Sequence, residues 1–462
     1  MNVSTGRVAI NILPDDVLLN IFHFCRVDGI GKFGVTWEWE ALVQVCRRWR
    51  YLIFAFPQGL DLRLVCTRGT PVQRMLNIWP ALPIIILDYT TPDLPIFDVV
   101  AALEHRHRVY GIWLDILTET QWQSITAKMQ EQFPELTFLE LVSRLTMEPT
   151  LPLEFLGGFA PSLRVARLDS IRFPALPHLL SSARNLVNLQ LYRIPVEGYV
   201  SPMAMVASLS TLINLRELLI EFRSPKSPLN WTILFPRPRR RVVLPALTKF
   251  SFRGVSEYLE DFVARIRTPS LHHMQIRYFN QLIFHMPQLV RFIKRTENLG
   301  PFNQADVSSR DGSIMISLLS STRGAYMALM TTCHGMDWQF SSLAQWCSQL
   351  HPLVSRVGHL DMDMKMKPRP NLQDDVDAIQ WLELFETFTA VNTLRLGGKI
   401  VSPVLSALEG LNADSAAEVL PVLRDLWFDR LGQRSSVRKA TKAFLSARQH
   451  SGCTVAVHHW EQ

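Results

Sequence analysis

Leu186-Val187-Asn188-Leu189-Gln190-Leu191 is one copy of a frame that returns through most of this 462-residue chain. The same Leu-x-x-Leu-x-Leu spacing, with aliphatic or aromatic substitutes, occurs at Leu136-Leu139-Leu141, Leu215-Leu218-Ile220, Leu247-Phe250-Phe252 and Leu271-Met274-Ile276. It occurs again at Val357-Leu360-Met362, Val391-Leu394-Leu396 and Leu423-Leu426-Phe428. Looser copies are Leu82-Ile85-Leu87, Val109-Ile112-Leu114 and Leu163-Ala166-Leu168. From Leu82 to Leu271 the frame advances by 27, 27, 27, 23, 29, 32 and 24 residues, and from Val357 by 34 and 32. The last two apolar residues of each copy stand two apart and so share one face of a strand. Helical patterns lie between the copies, at 96–106, 120–132, 201–212, 340–350 and 374–388. A short strand leaves an apolar edge that only a neighbouring unit can cover, so the expected fold class is α/β, with parallel strands on one side and helices on the other.

Strand, loop and helix at this period resembles a leucine-rich repeat. The resemblance implies an irregular solenoid over residues 61–462. It departs from the family where an Asn or Cys normally bonds the turn after the last Leu: that position holds Arg144, Ile171, Ile194, Arg223, Val255 and Phe279. The 86 residues from Leu271 to Val357 are expected to hold two or three degenerate units, with candidate strands at 313–319 and 326–333. The alternative is a generic α/β domain in which a Leu-rich chain produces the frame by chance.

Residues 9–57 read differently. Leu13-Pro14-Asp15-Asp16 suits the first turn of a helix, where proline lacks only an unpaired N–H and acids meet the positive dipole end. Val17, Leu18, Ile21, Phe22 and Cys25 follow on one face. A linker at 26–36 carries Gly29, Gly31 and Gly34. A helix is predicted from near Trp37, with Leu42, Val45, Trp49, Leu52 and Phe56 at steps of three and four. Leu13-Pro14-x-Asp16-Val17-Leu18-Leu19-x-Ile21-Phe22, followed by Val45-Cys46-Arg47-Arg48-Trp49-Arg50, resembles an F-box, and the whole chain resembles the large F-box-plus-repeat proteins of basidiomycete fungi. The linker is longer than the compact family loop. The resemblance implies docking to a Skp-type adaptor and through it to a cullin, with Leu13, Pro14, Val17, Leu18, Ile21, Phe22, Val45, Cys46 and Trp49 as the adaptor-binding set. The other reading of the same residues is that they pack on the domain that follows.

Hydrophobic residues make up 48% and charged residues 19%, which excludes a disordered chain. The densest apolar run, 82–87, is far short of a membrane span, and no secretory signal is visible at 1–16. Six cysteines without paired spacing indicate reduced thiols, hence a cytoplasmic or nuclear setting. The net charge of +7 is matched by one acid-free stretch, 222–256, which holds eight bases including Arg237, Arg239, Arg240 and Arg241. Pro225, Pro228, Pro236 and Pro238 in it predict a Pro/Arg-rich inserted loop at about 223–245, a candidate for nuclear import or for binding a polyanion such as RNA or an acidic partner, or else simply a solvated loop.

No enzyme motif is present: no phosphate loop, no GxSxG, no HExxH. The pairs His105/His107, His272/His273 and His458/His459 lack metal-ligand spacing, and Asp361-Met362-Asp363 is half a calcium motif at most. Asp374, Asp375 and Asp377 suit a helix start. No cofactor or metal is expected. The expected function is therefore the substrate-recognition subunit of a Skp–cullin–F-box ubiquitin ligase. Its target would lie on the outward strand positions Glu140, Arg167, Gln190, Leu219, Ser251, Gln275, Asp361, Arg395 and Trp427. The alternative is a non-catalytic scaffold that binds a polyanion through the basic loop.

Overall fold

The computed structural model describes residues 10–24, 39–57, 59–67, 72–88, 96–225, 240–281, 283–310, 312–332, 336–364, 378–398, 400–428 and 435–459. The Gly-rich linker, Arg237, Arg239, Asp374, Asp375 and Asp377 fall outside them. The chain forms two compact units, Met1–Leu168 and Asp169–Gln462. Each is mixed α/β with mostly parallel strands, and the described residues include sixteen α-helices. None of these helices is long and apolar enough to cross a membrane.

The first unit opens with α1 (Asp15–Phe24), α2 (Trp39–Val45) and α3 (Arg47–Ala55). Asp15 and Asp16 sit in the first turn of α1, where the dipole favours them. Cys46 ends α2 and caps α3, its Sγ accepting the Trp49 N–H. The strands follow: β1 (Leu64–Cys66), β2 (Ile84–Asp88), β3 (Val109–Ile116), β4 (Phe138–Ser143) and β5 (Val165–Asp169). They lie in chain order, and β1 to β4 pair in parallel. The helix Glu119–Lys128 starts on a capping box between Thr118 and Gln121.

The second unit carries β6 (Asn188–Ile194), β7 (Glu217–Phe222), β8 (Val242–Val243), β9 (Lys249–Gly254), β10 (Ile266–Arg267) and β11 (His273–Tyr278). It continues with β12 (Gln304–Arg310), β13 (Ser313–Ser320), β14 (Ala325–Thr332), β15 (His359–Met364), β16 (Thr393–Gly398), β17 (Asp425–Phe428) and β18 (Ala456–His459). Its main sheet has the order β6-β7-β9-β11-β14-β13-β12-β15-β16-β17-β18, and β8 pairs with β10 apart from it. The repeated frames stack in register. Leu189, Leu218, Phe250, Met274 and Met327 are successive partners, as are Leu191, Ile220, Phe252, Ile276 and Leu329. All ten are buried. The Phe250 ring stacks on Phe262 of the helix Ser256–Arg265 at 5.5 Å, so this face of the sheet is the one covered by helices.

A turn precedes the strands. The first Leu of the frame donates its N–H to the carbonyl three residues upstream: Leu186 to Ala183 at 3.0 Å, Leu215 to Leu212 at 3.2 Å, Leu423 to Leu420 at 3.0 Å. The upstream residue is itself buried in each case. The unit therefore reads apolar-x-x-Leu-x-x-Leu-x-Leu, one apolar position longer than the frame found in the sequence.

The segment between Leu271 and Val357 corrects the expectation of further parallel units. Its strands include the two expected positions, but β12, β13 and β14 form an antiparallel meander. β14 returns to lie parallel beside β11, and β12 lies parallel beside β15. The cause is local. Arg310 pairs with Ser313 at the end of the β12–β13 ladder, and Gly312 between them has φ 77°. A glycine at positive φ suits a tight hairpin turn. Gly324, with φ 63°, closes the next turn by donating to the Ser320 carbonyl at 2.9 Å.

Candidate functional site

Two surfaces of the chain carry the residues singled out from the sequence. The first is helical. Leu18, Phe22 and Trp49 are buried, and the Phe22 and Trp49 rings meet edge to face at 4.8 Å between α1 and α3. Arg48 ties the start of α1 to α3, donating to the Leu13 carbonyl at 2.6 Å and pairing with Asp15 at 2.5 Å. On α2 and α3, Trp39 and Phe54 cluster with Trp79, and the Trp39 indole donates to the Arg63 carbonyl at 3.1 Å. The helices are thus anchored to the strand region that follows.

The remaining members of the sequence-predicted set stay accessible. Leu13, Ile21 and Cys46 are half-buried; Pro14 and Val17 are exposed; Val45 is 59% exposed. Ile12 at 76% and Phe24 at 85% exposure are further apolar side chains left in water in this helical region.

The second surface is the open face of the second unit's sheet. Residues between the two buried positions of each frame form one registered row: Gln190, Leu219, Ser251, Gln275, Ala328, Ser317, Asp306, Asp361, Arg395, Trp427 and His458. Seven of the nine outward positions expected from the sequence lie in it: Gln190, Leu219, Ser251, Gln275, Asp361, Arg395 and Trp427. Neighbouring strands exchange charges here. Glu217 accepts Lys249 Nζ and the Asn188 amide, both at 2.8 Å, and Glu221 accepts Arg253 Nη1 at 2.9 Å. Arg395 lies over the Trp427 ring at 5.4 Å, and Trp427 stacks on His458 at 4.3 Å. His458 in turn meets Asp425 at 2.9 Å. Asp361 faces Asp306 across the strand pair, and its carboxyl lies above the usual range because it is partly buried and Asp306 and Asp363 repel its charge, while Arg395 offsets part of the effect. A cavity of about 220 Å³ opens beside it, lined by Gln304, His359, Thr393 and Arg395.

In the first unit Glu140 departs from expectation. It is only 4% exposed, because Arg167 of the next strand covers it at 3.3 Å. Arg144 likewise pairs with Asp115 at 2.9 Å. Acid–base pairs between successive strands recur on the outward faces, and Arg144 makes one from the position three residues after Leu141.

Of the basic loop, Arg240 is exposed and Arg241 donates Nε–H to the Ala264 carbonyl at 3.1 Å; Arg237 and Arg239 lie outside the described residues. The histidine pairs have separate surroundings. His105 and His107 approach each other at 6.4 Å, His272 meets the Ser270 carbonyl, His273 stacks on Tyr326 at 4.8 Å, and His459 lies by Phe428. Sequence reasoning did not single out Glu217, Glu221, Arg253 or Arg277 on the open face. Each stands two residues from a named outward position, so extending the alternation by one step would have found them. No protein-family model and no curated protein matches the chain.

Proposed function

We propose that this chain is the target-recognition subunit of a Skp–cullin–F-box ubiquitin ligase. In this reading α1 to α3 form an F-box that holds a Skp-type adaptor, and the strand–helix units form an irregular leucine-rich-repeat-like solenoid that holds a protein target. The observation that carries it is the division within the helices. Leu18, Phe22 and Trp49 build a small core, while Pro14, Val17 and Val45 leave an apolar surface facing water. Three helices of this size cannot bury all their apolar side chains alone, and a partner helix array would cover the rest. The chain would catalyse nothing. It would raise the local concentration of target lysines near the ubiquitin-conjugating enzyme, in the cytoplasm or the nucleus.

The test is retention of a purified Skp-type adaptor by the full chain. The wild type should retain it, and the double variant Leu13→Ala, Pro14→Ala should lose at least about tenfold in affinity with its thermal midpoint little changed. An adaptor that is not retained by the wild type refutes the assignment. Steeply salt-dependent RNA binding in its place would favour the polyanion-binding scaffold.

A further inference from the structure

The open face between β6 and β11 holds one charge too many. Its two carboxylates are both committed, Glu217 to Lys249 and Asn188, Glu221 to Arg253. Arg277 stands in register beside Arg253 on the next strand. Among the described residues it has no hydrogen bond or ion pair, and its Nε is buried with no partner. The other acids in the registered row, Asp306 and Asp361, are no closer than β12, three strands from β11. At about 4.8 Å per strand that is about 14 Å, beyond the screening length of physiological salt.

Arg277 borders a cavity of about 260 Å³. Ser251 and Gln275 offer a hydroxyl and a carboxamide at its wall, and Leu219 supplies an apolar surface. A half-buried guanidinium is a rigid fork matched to two oxygens of one anion. We propose that this cavity takes an anionic side chain of a target polypeptide, carboxylate or phosphate, with Arg277 as its counter-ion and Leu219 against its methylene stem. The proposal rests on the target-binding half of the function proposed above. Glu221 and Arg253 also line the cavity, but as an ion pair at 2.9 Å, so Arg277 leaves its wall with one net positive charge. That suits one anionic side chain, whereas the successive phosphates of a nucleic-acid backbone would run on against Glu217.

The experiment presents the full-length chain to immobilised randomised peptides whose central residue is fixed as Glu, phosphoserine, Gln or Ser. The Glu set should bind at least about tenfold more than the Gln set, or the phosphoserine set than the Ser set, the scale of one charge-assisted hydrogen bond. Which of the two anions prevails identifies the source. Arg277→Gln should abolish the preference with an unchanged thermal midpoint, while Arg277→Lys should keep part of it. Absence of any anion preference in the wild type, or a preference that survives in Arg277→Gln, overturns the proposal. Adaptor retention is measured on the same preparations. Adaptor retained without anion preference removes this inference alone; anion preference without adaptor retention supports it and removes the ligase assignment.

Discussion

Arg448 has none of its side chain exposed, and among the described residues no carboxylate pairs with it. Its guanidinium is held by carbonyls. It donates to Ala416 O at 2.7 Å, Leu420 O at 3.2 Å and Leu423 O at 3.4 Å. These lie at and beyond the end of the helix Ala413–Glu418, where unpaired carbonyls and the negative dipole end gather. Arg448→Met keeps the apolar stem and removes the charge. The loss of its own desolvation penalty, several kcal/mol, favours the variant. Against this stand two or three lost bonds to a charged donor, about 1.5–3 kcal/mol each, and the carbonyls left buried without a partner. The balance is a destabilisation of about 2–4 kcal/mol. Amide hydrogen exchange followed by mass spectrometry reads it locally, which suits a chain whose unfolding need not be two-state. Protection should fall by about 30- to 1000-fold in 413–428 and 435–459 and hold in the first unit. Unchanged protection in those segments, or an equal loss everywhere, would refute the view that Arg448 pins the carbonyl cluster.

Glu260 accepts the N–H groups of Gln288 and Leu289 at 2.7 and 2.8 Å, capping the helix Pro287–Arg295. Burial nevertheless outweighs those bonds and pushes its carboxyl up to about 7. A folded value above the unfolded one contributes stability that is full below about pH 4.5 and lost as pH rises through about 7. Denaturation midpoints between pH 5 and 8 should therefore fall with pH in the wild type, and Glu260→Gln should flatten that slope; an equal slope in both would exclude Glu260 as its source. A methyl group at Gly254 would meet Phe252 Cζ at 2.5 Å and Phe222 Cδ2 at 3.0 Å, so Gly254→Ala should cost about 1–3 kcal/mol in thermal unfolding. Val45→Asp should leave the thermal midpoint within a degree or two and abolish adaptor retention, whereas Trp49→Ala, which empties the helical core, should cost about 3–5 kcal/mol of stability. The reverse pattern would place the adaptor contact on the wrong side of the helices.

The strand positions were legible because alternation is a local property. Leu189 and Leu191 point inward for the same reason in isolation as in the sheet: they are two residues apart on an extended chain. The hairpin between β12 and β13 was equally local, with Gly312 at positive φ, but leucine spacing does not mark it because the meander carries no such frame. The buried state of Glu140 was not legible at all. It depends on Arg167, 27 residues later, reaching back across a strand. Arg448 is a stronger case, since a charged residue near the end of an amphipathic helix reads as solvated until the carbonyls it fills are in place.

The periodic spacing of apolar residues was enough to establish an α/β chain of strand–helix units preceded by short amphipathic helices, because each unit's inward residues are set by its own backbone geometry. Tertiary structure decided the rest: the reversal of β12 to β14 within the sheet order, which apolar residues of α1 to α3 stay in water, and which charges are satisfied. Those outcomes turn on neighbours about 24 to 33 residues away, as in Arg193 with Asp169 and His458 with Asp425. A spacing rule has no term for a partner supplied by the next unit. Among the described residues, Arg277 on the open face is one that such an exchange leaves without a partner.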